Sequence, residues 1–255
     1  MSNPDRAYLY KRTEQAPLYL YVYLPPEWEA SDRRPAIVFF FGGGWVGGTV
    51  QQFAPQATHL AQRGMVAICA EYRVRSRHNV TAESCVADAR SALAWVHSHA
   101  GELGIDPARI VAAGGSAGGH IAACAAMIDT LEDDPSLTAS SKPCALVLFN
   151  PVLEISKERQ EMVSRFASPA SAERLSPIRW IRPGLPPTLI IHGTADTVVP
   201  ISQARAFVQE MSAQGNTAIL YEAPNQAHGF FNRSPWRERT LAQVERFLEQ
   251  QGLLS

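Results

Sequence analysis

Ser116 stands in the run Gly114-Gly115-Ser116-Ala117-Gly118-Gly119, a Gly-x-Ser-x-Gly pattern. On a sharp turn from strand to helix such a hydroxyl is lifted clear of the backbone, and glycine beside it leaves room for the turn. A serine hydroxyl is a weak nucleophile at neutral pH and needs a base to take its proton. Seven histidines are available. His59, His97 and His99 fall in or at the end of helical patterns and read as solvated surface, while His78 belongs to the loop Arg75-Ser76-Arg77-His78. His120 follows Ser116 by four residues, a turn away from the hydroxyl and inside the helix packing, and His192 closes a strand. His228 differs. It lies past the last strand in Asn225-Gln226-Ala227-His228-Gly229-Phe230, where an imidazole can reach over the turn without disturbing the sheet.

A base of this kind needs a third group to hold its tautomer and stabilise the imidazolium. Asp196, in the turn Gly193-Thr194-Ala195-Asp196, is expected to supply it, in the chain order Ser116, Asp196, His228. Asp106, before Pro107, reads as a turn or cap residue, and Glu154 and Glu222 are second choices for the acid. The backbone N–H of Ala117 is one expected donor to an oxyanion. A second is expected from Gly42-Gly43-Gly44, where the backbone itself must approach the substrate oxygen.

These residues require particular elements to carry them. Leu18 to Leu24 alternates tyrosines with aliphatics, and with Tyr8–Lys11 it predicts two antiparallel edge strands. Ala36–Phe41 is apolar on both faces, as a central parallel strand is. Strands are then expected at Met65–Tyr72, Arg109–Ala113, Ala145–Asn150, Leu189–His192 and Ala218–Glu222, with helical stripes between them such as Ala82, Val86, Ala89, Leu93 and Val96. Repeated β–α alternation predicts one α/β domain over 1–255, with a mostly parallel sheet and helices on both faces. The stretch from Pro151 to Pro187 breaks the rhythm, with prolines at 151, 169, 177, 183, 186 and 187, and is expected to be a small cap at the C-terminal edge of the sheet, where ligands bind.

Composition sets the outer limits. The chain has 255 residues, 46% of them hydrophobic, and a net charge of −1, so it can bury a core but offers no polycation for nucleic acid or a membrane surface. No apolar run reaches the ~18 residues of a membrane span, and the polar start Met1 to Arg6 lacks the apolar region of a signal peptide. Cys69, Cys85, Cys124 and Cys144 show no C-x-x-C pairing and are expected to be reduced thiols. A cytoplasmic protein is the resulting expectation.

Taken together, the Gly42-Gly43-Gly44-Trp45 loop, the approach Gly104 to Ile110, the Gly-Gly-Ser-Ala-Gly-Gly turn, the Gly-Thr-Ala-Asp turn and His228-Gly229-Phe230 resemble the α/β-hydrolases of the hormone-sensitive-lipase-like and carbohydrate-esterase-like branches. The resemblance runs from about residue 18 to the C-terminus. It implies an eight-stranded sheet, a Ser116–His228–Asp196 triad, and an oxyanion hole of Gly43, Gly44 and Ala117. The implied activity is that of a serine esterase on short acyl esters, acetyl above all, with a small-molecule ester, such as an acetylated sugar, as partner and no cofactor or metal. Two departures stand out. Phe41 replaces the histidine that usually opens the glycine loop, and the long N-terminal helical cap of the lipase-like branch is missing. Two alternatives remain open, a prolyl-oligopeptidase-like peptidase and a non-catalytic receptor on the same scaffold. Trp45 and Phe230, with Trp180 and Phe231, are candidates to stack on the substrate or to pack the core. An edge strand or the final helix would serve a homodimer.

Overall fold

The alternation at the N-terminal end becomes strand β2 (Pro17–Tyr23), which turns Leu18, Leu20 and Val22 into the core and leaves Tyr19 and Tyr21 half-buried. The structure is a computed structural model describing residues 3–129 and 142–254, so the first two residues of the polar start lie outside it. β2 pairs antiparallel with β1 (Arg6–Arg12) on one side and with β4 (Val66–Ala70) on the other. All remaining pairings are parallel: β3 (Arg34–Phe40), β5 (Ile105–Gly115), β6 (Ala145–Phe149), β7 (Thr188–Gly193) and β8 (Ala218–Ala223) complete a sheet of order β1-β2-β4-β3-β5-β6-β7-β8. This is the eight-stranded sheet of the α/β-hydrolase fold. β4, β6 and β7 are buried along their whole length, which is why their sequences are apolar runs rather than alternations. β5 starts at Ile105, earlier than expected, because Arg34 pairs with Ile105 ahead of a register shift.

The crossovers are α1 (Ala54–Gln62), the short α2 (Arg75–His78), α3 (Ala82–Ser98) and α4 (Ala117–Met127). α3 and α4 pack together on one face. On the other, His59 of α1 and Arg63 just after it reach Glu245 of the C-terminal helix, α8 (Trp236–Gln250), His59 by a 2.9 Å hydrogen bond and Arg63 by an ion pair at 2.8 Å. The loop after β4 is tied down by a buried carboxylate: Asp88 of α3 receives Arg73 through both oxygens, each at 2.9 Å, and Lys11 at 3.0 Å. The four thiols are free, with Cys69, Cys85 and Cys124 buried. Among the described residues, no helix is long and apolar enough to cross a membrane.

The segment between β6 and β7 lies over the C-terminal edge of the sheet. It is not structureless. It carries two short helices, α5 (Gln160–Val163) and α6 (Pro169–Arg174), and a 3-10 turn at Pro177–Trp180. Proline opens α6 and the 3-10 turn, positions where its missing N–H costs nothing. The last helix between strands, α7 (Ile201–Ala213), buries Ala204, Phe207 and Met211.

Candidate active site

Strand β5 ends in Gly115, helix α4 begins at Ala117, and Ser116 makes the corner with φ 53° and ψ −118°. That left-handed φ is costly for a residue with a side chain and persists only where the surroundings enforce it. Here the Ser116 amide donates to the Phe149 carbonyl at 2.8 Å. The helix also lies hard against β3: a Cβ on Gly118 would stand 2.0 Å from the Phe40 carbonyl oxygen, so position 118 admits only glycine.

The structure brings Ser116, His228 and Asp196 into one chain of contacts. His228 Nε2 lies 2.9 Å from Ser116 Oγ, and its Nδ1 lies 2.7 Å from Asp196 Oδ2. An ionised carboxylate only accepts, so Nδ1 carries the ring proton and Nε2 accepts from the serine hydroxyl. Burial by itself would push the Asp196 carboxyl up. Hydrogen bonds from His192, His228 and the Val199 amide outweigh it and hold the group well below the usual carboxylate range. Asp196 Oδ1 accepts from the amides of Val198 and Val199, both at 2.9 Å.

Two supporting residues were not singled out in the sequence. His192, read as a strand end, is fully buried beside the acid: its Nε2 is 2.8 Å from the Val199 carbonyl and 3.3 Å from Asp196 Oδ2. Asn150, just past β6, has φ 35° and accepts from the Gly229 amide at 3.1 Å, which fixes the loop that carries His228. An asparagine after an apolar strand, tolerant of the left-handed region, was the available signal. The other acids are occupied elsewhere: Glu222 receives Arg205 through both oxygens, and Asp106 accepts from the Ala108 amide in a turn. Glu154 is exposed.

The glycine loop folds directly over the serine. A Cβ on Gly42 would approach Ser116 Cβ to 3.3 Å, and Gly43 has φ 132°, where a side chain is strained. The Gly43 carbonyl turns away to accept from the amides of Val46 and Gly47. This leaves the amides of Gly43 and Gly44, with that of Ala117 at the helix N-terminus, without a backbone acceptor among the described residues. Phe41 does not leave the loop loose. Its ring stacks on Tyr72 at 4.1 Å between centroids, and the Tyr72 hydroxyl donates to the Phe41 carbonyl at 2.6 Å. Gln52 Oε1 accepts from the Gly42 amide at 2.5 Å, and the buried ring of Trp45 is tied to His120.

A cavity of about 360 Å³ opens above Ser116 and His228, walled by Trp45, Val152, Met162, Val199 and Phe231 together with Gln52 and Arg165. Trp45 therefore reaches the pocket, although it is 2% exposed. Phe230 does not. It packs edge-on to Trp236 and lines a separate groove of about 560 Å³ that shares His228 and Gly229 with the pocket's lining. Trp180 lies in the 3-10 turn of the insertion, away from both. Among the described residues, no group of histidine, cysteine and carboxylate side chains is arranged to hold a metal.

Comparison with known proteins agrees with this geometry. A family model described as BD-FAE matches residues 20–155 and 154–211. The chain is 30% identical over 252 residues to the probable carboxylic ester hydrolase LipM of Mycobacterium tuberculosis, a match covering 90% of this chain and 57% of LipM. It is 30% identical over 240 residues to the carboxylesterase NlhH of the same species, covering 83% and 70%. The chain thus spans little more than half of LipM. The solved apo form of Thermogutta terrifontis esterase 2 superposes with a TM-score of 0.93 at 46% identity, covering 98% of this chain and 96% of that one. On the family match across most of its length, and on relatives that share its α/β-hydrolase sheet, the chain belongs to the BD-FAE family.

Proposed function

We propose that this protein is a serine carboxylesterase that cleaves short-chain acyl esters through an acyl-enzyme. The observation that carries the reading is the 2.9 Å contact between Ser116 Oγ and His228 Nε2, with Asp196 behind the ring. His228 takes the hydroxyl proton as Ser116 attacks the ester carbonyl. The oxygen that becomes negative is received by the amides of Gly43, Gly44 and Ala117. His228 then gives its proton to the departing alcohol, which leaves an acyl group on Ser116. Water, deprotonated by His228, attacks that ester and releases the acid, returning the proton through His228 to Ser116. Asp196 stays ionised throughout and balances the imidazolium.

Short acyl groups are supported by the size of the cavity, about 360 Å³, with Met162 and Trp45 in its wall. The related Thermogutta esterase 2 has been solved with butyrate and with propionate bound, and phosphonylated by sarin. The finer reading is acetyl esters of carbohydrates. It is supported by the groove at His228, lined by Gln226, Asn232, Arg233 and Trp236, which offers polar groups and an aromatic face beside the residue that must protonate the alcohol. The four free cysteines support a reducing compartment such as the cytoplasm.

Initial rates on p-nitrophenyl acetate, butyrate and octanoate, beside acetylated xylan, test both levels. Turnover that falls steeply after acetate, with acetate released from the sugar, is expected. A peak at butyrate or beyond with the sugar untouched would make it a general carboxylesterase. Hydrolysis that survives Ser116→Ala, or failure of the serine to react with a fluorophosphonate, would overturn the esterase reading.

A further inference from the structure

Arg165 enters the pocket wall from the insertion and stands over the oxyanion loop. Its Nη1 is 3.4 Å from the Gly44 carbonyl, its guanidinium lies 6.0 Å from the centre of the Trp45 ring, and a Cβ on Gly44 would be 2.6 Å from Nη1. Three of the four other arginines of the insertion are neutralised: Arg159 pairs with Glu161, Arg179 with Glu173 and Arg182 with Asp129, and Arg174 lies outside the pocket lining. Arg165 has no carboxylate within ion-pair distance among the described residues. The nearby acid, Glu83, directs Oε1 to the Ala167 amide and the Ser171 hydroxyl instead. Two further guanidinium groups lie outside the pocket lining but bind its flanking segments: Arg75 donates to the carbonyl of Ser164, next to Arg165, at 3.2 Å and Arg77 to the Gly48 carbonyl at 2.9 Å.

A half-buried guanidinium facing a pocket with one long hydrogen bond has donors to spare, and its fork matches a carboxylate. We infer that Arg165 receives a carboxylate carried by the acid part of the substrate, so that among acyl groups longer than acetyl the monoesters of short dicarboxylic acids are preferred over their neutral counterparts. The acid part is indicated because the alcohol must take its proton from His228, and Arg165 lines the pocket but not the groove on which His228 also borders. The exposed Arg75 and Arg77 add positive charge to the same side of the molecule as Ser164 and Gly48, a long-range attraction for anions that salt screens. This inference rests on the esterase reading above.

The test compares kcat/KM for monomethyl succinate and monomethyl glutarate with that for their neutral terminal amides, using methyl acetate as the esterase control. The wild type is expected to favour the carboxylates at least tenfold, less so at high salt. Arg165→Met is expected to bring the ratio to one or below, and Arg165→Lys to restore part of it. Because the ratio is taken within each variant, a general loss of activity or folding does not imitate the effect. A wild-type ratio near one, or no turnover of either member of the pair, with methyl acetate turned over would overturn the inference and leave the esterase reading standing. So would a charge preference seen only on the alcohol side, measured with 4-acetoxybenzoate against 4-acetoxybenzamide. No turnover of any ester, methyl acetate included, would instead sink the esterase reading.

Discussion

The indole N–H of Trp45 donates to Nδ1 of His120 at 3.2 Å, and the opposite nitrogen of that buried ring donates to the Leu175 carbonyl at 2.6 Å. His120 is therefore neutral, with its proton on Nε2, and it links the oxyanion loop to the insertion through a single ring. Four residues past the nucleophile it cannot reach the hydroxyl as a base; its place in the fold is to hold Trp45. Replacing it with alanine frees the loop whose amides must meet the oxyanion. His120→Ala is expected to lower kcat for p-nitrophenyl acetate by about 10- to 100-fold, less than outright loss of an oxyanion donor, while KM changes little. Glutamine, which can still accept from Trp45 and donate to Leu175, is expected to recover part of kcat.

The same ring ties stability to pH. Burial pushes its pKa down to about 4 from an ordinary value of 6.5, against the opposing hydrogen bond to the Leu175 carbonyl. Between those values the unfolded chain binds a proton that the folded chain refuses. The contribution is therefore fully present above pH 6.5 and is lost as pH falls towards 4, by up to about 3 kcal/mol. Urea unfolding at pH 7 and pH 4.5 should show the wild type losing more stability across this interval than His120→Gln does.

Asp196 is held ionised far into acid, so its protonation does not set the acid limb of activity. Its removal as a charge does matter. Asp196→Asn would keep the shape but present the amide to the wrong tautomer of His228, and kcat is expected to fall by about 10⁴. Steady-state rates at pH 7 to 9 check this, with thermal melts to show that the fold is retained.

Asn150 is expected to act on the base through the backbone. With Asn150→Ala the Gly229 amide loses its acceptor and the His228 loop loses its anchor to β6. A lost buried hydrogen bond of this kind costs about 1–3 kcal/mol. The expected outcome is a fall in kcat of roughly tenfold, together with slower labelling of Ser116 by a fluorophosphonate.

Away from the site, Asp88 anchors the segment after β4 through Arg73 and Lys11 and is fully buried. Asp88→Ala removes the buried carboxylate shared by two partly exposed cations, and a loss of about 2–4 kcal/mol is expected, below the full penalty for a wholly buried charge. Chemical denaturation would measure it, and a change under 1 kcal/mol would contradict the anchoring role.

The amino-acid sequence by itself determined the sheet, because apolar runs such as Val66–Ala70 and Ala145–Phe149 have no stable place except between covering helices. It also marked Ser116, Asp196 and His228, since each lies at the C-terminal end of a strand in a turn rich in small residues, and strand order carries those turns to one edge. Only the tertiary structure decided what surrounds them. His120 and His192 have no local pattern that distinguishes a positioning ring from a packed one; their partners Trp45, Leu175 and Val199 arrive from other turns of the fold. Phe41 shows the same limit. Its place in the glycine loop reads as a lost hydrogen bond, and only the stack on Tyr72, brought alongside by the β3–β4 pairing, shows how the loop is held. Arg165 was one arginine of an irregular insertion until the chain folded that insertion over the pocket. Periodicity reports which face of an element is buried, whereas the identity of the atoms met there depends on how distant elements pack.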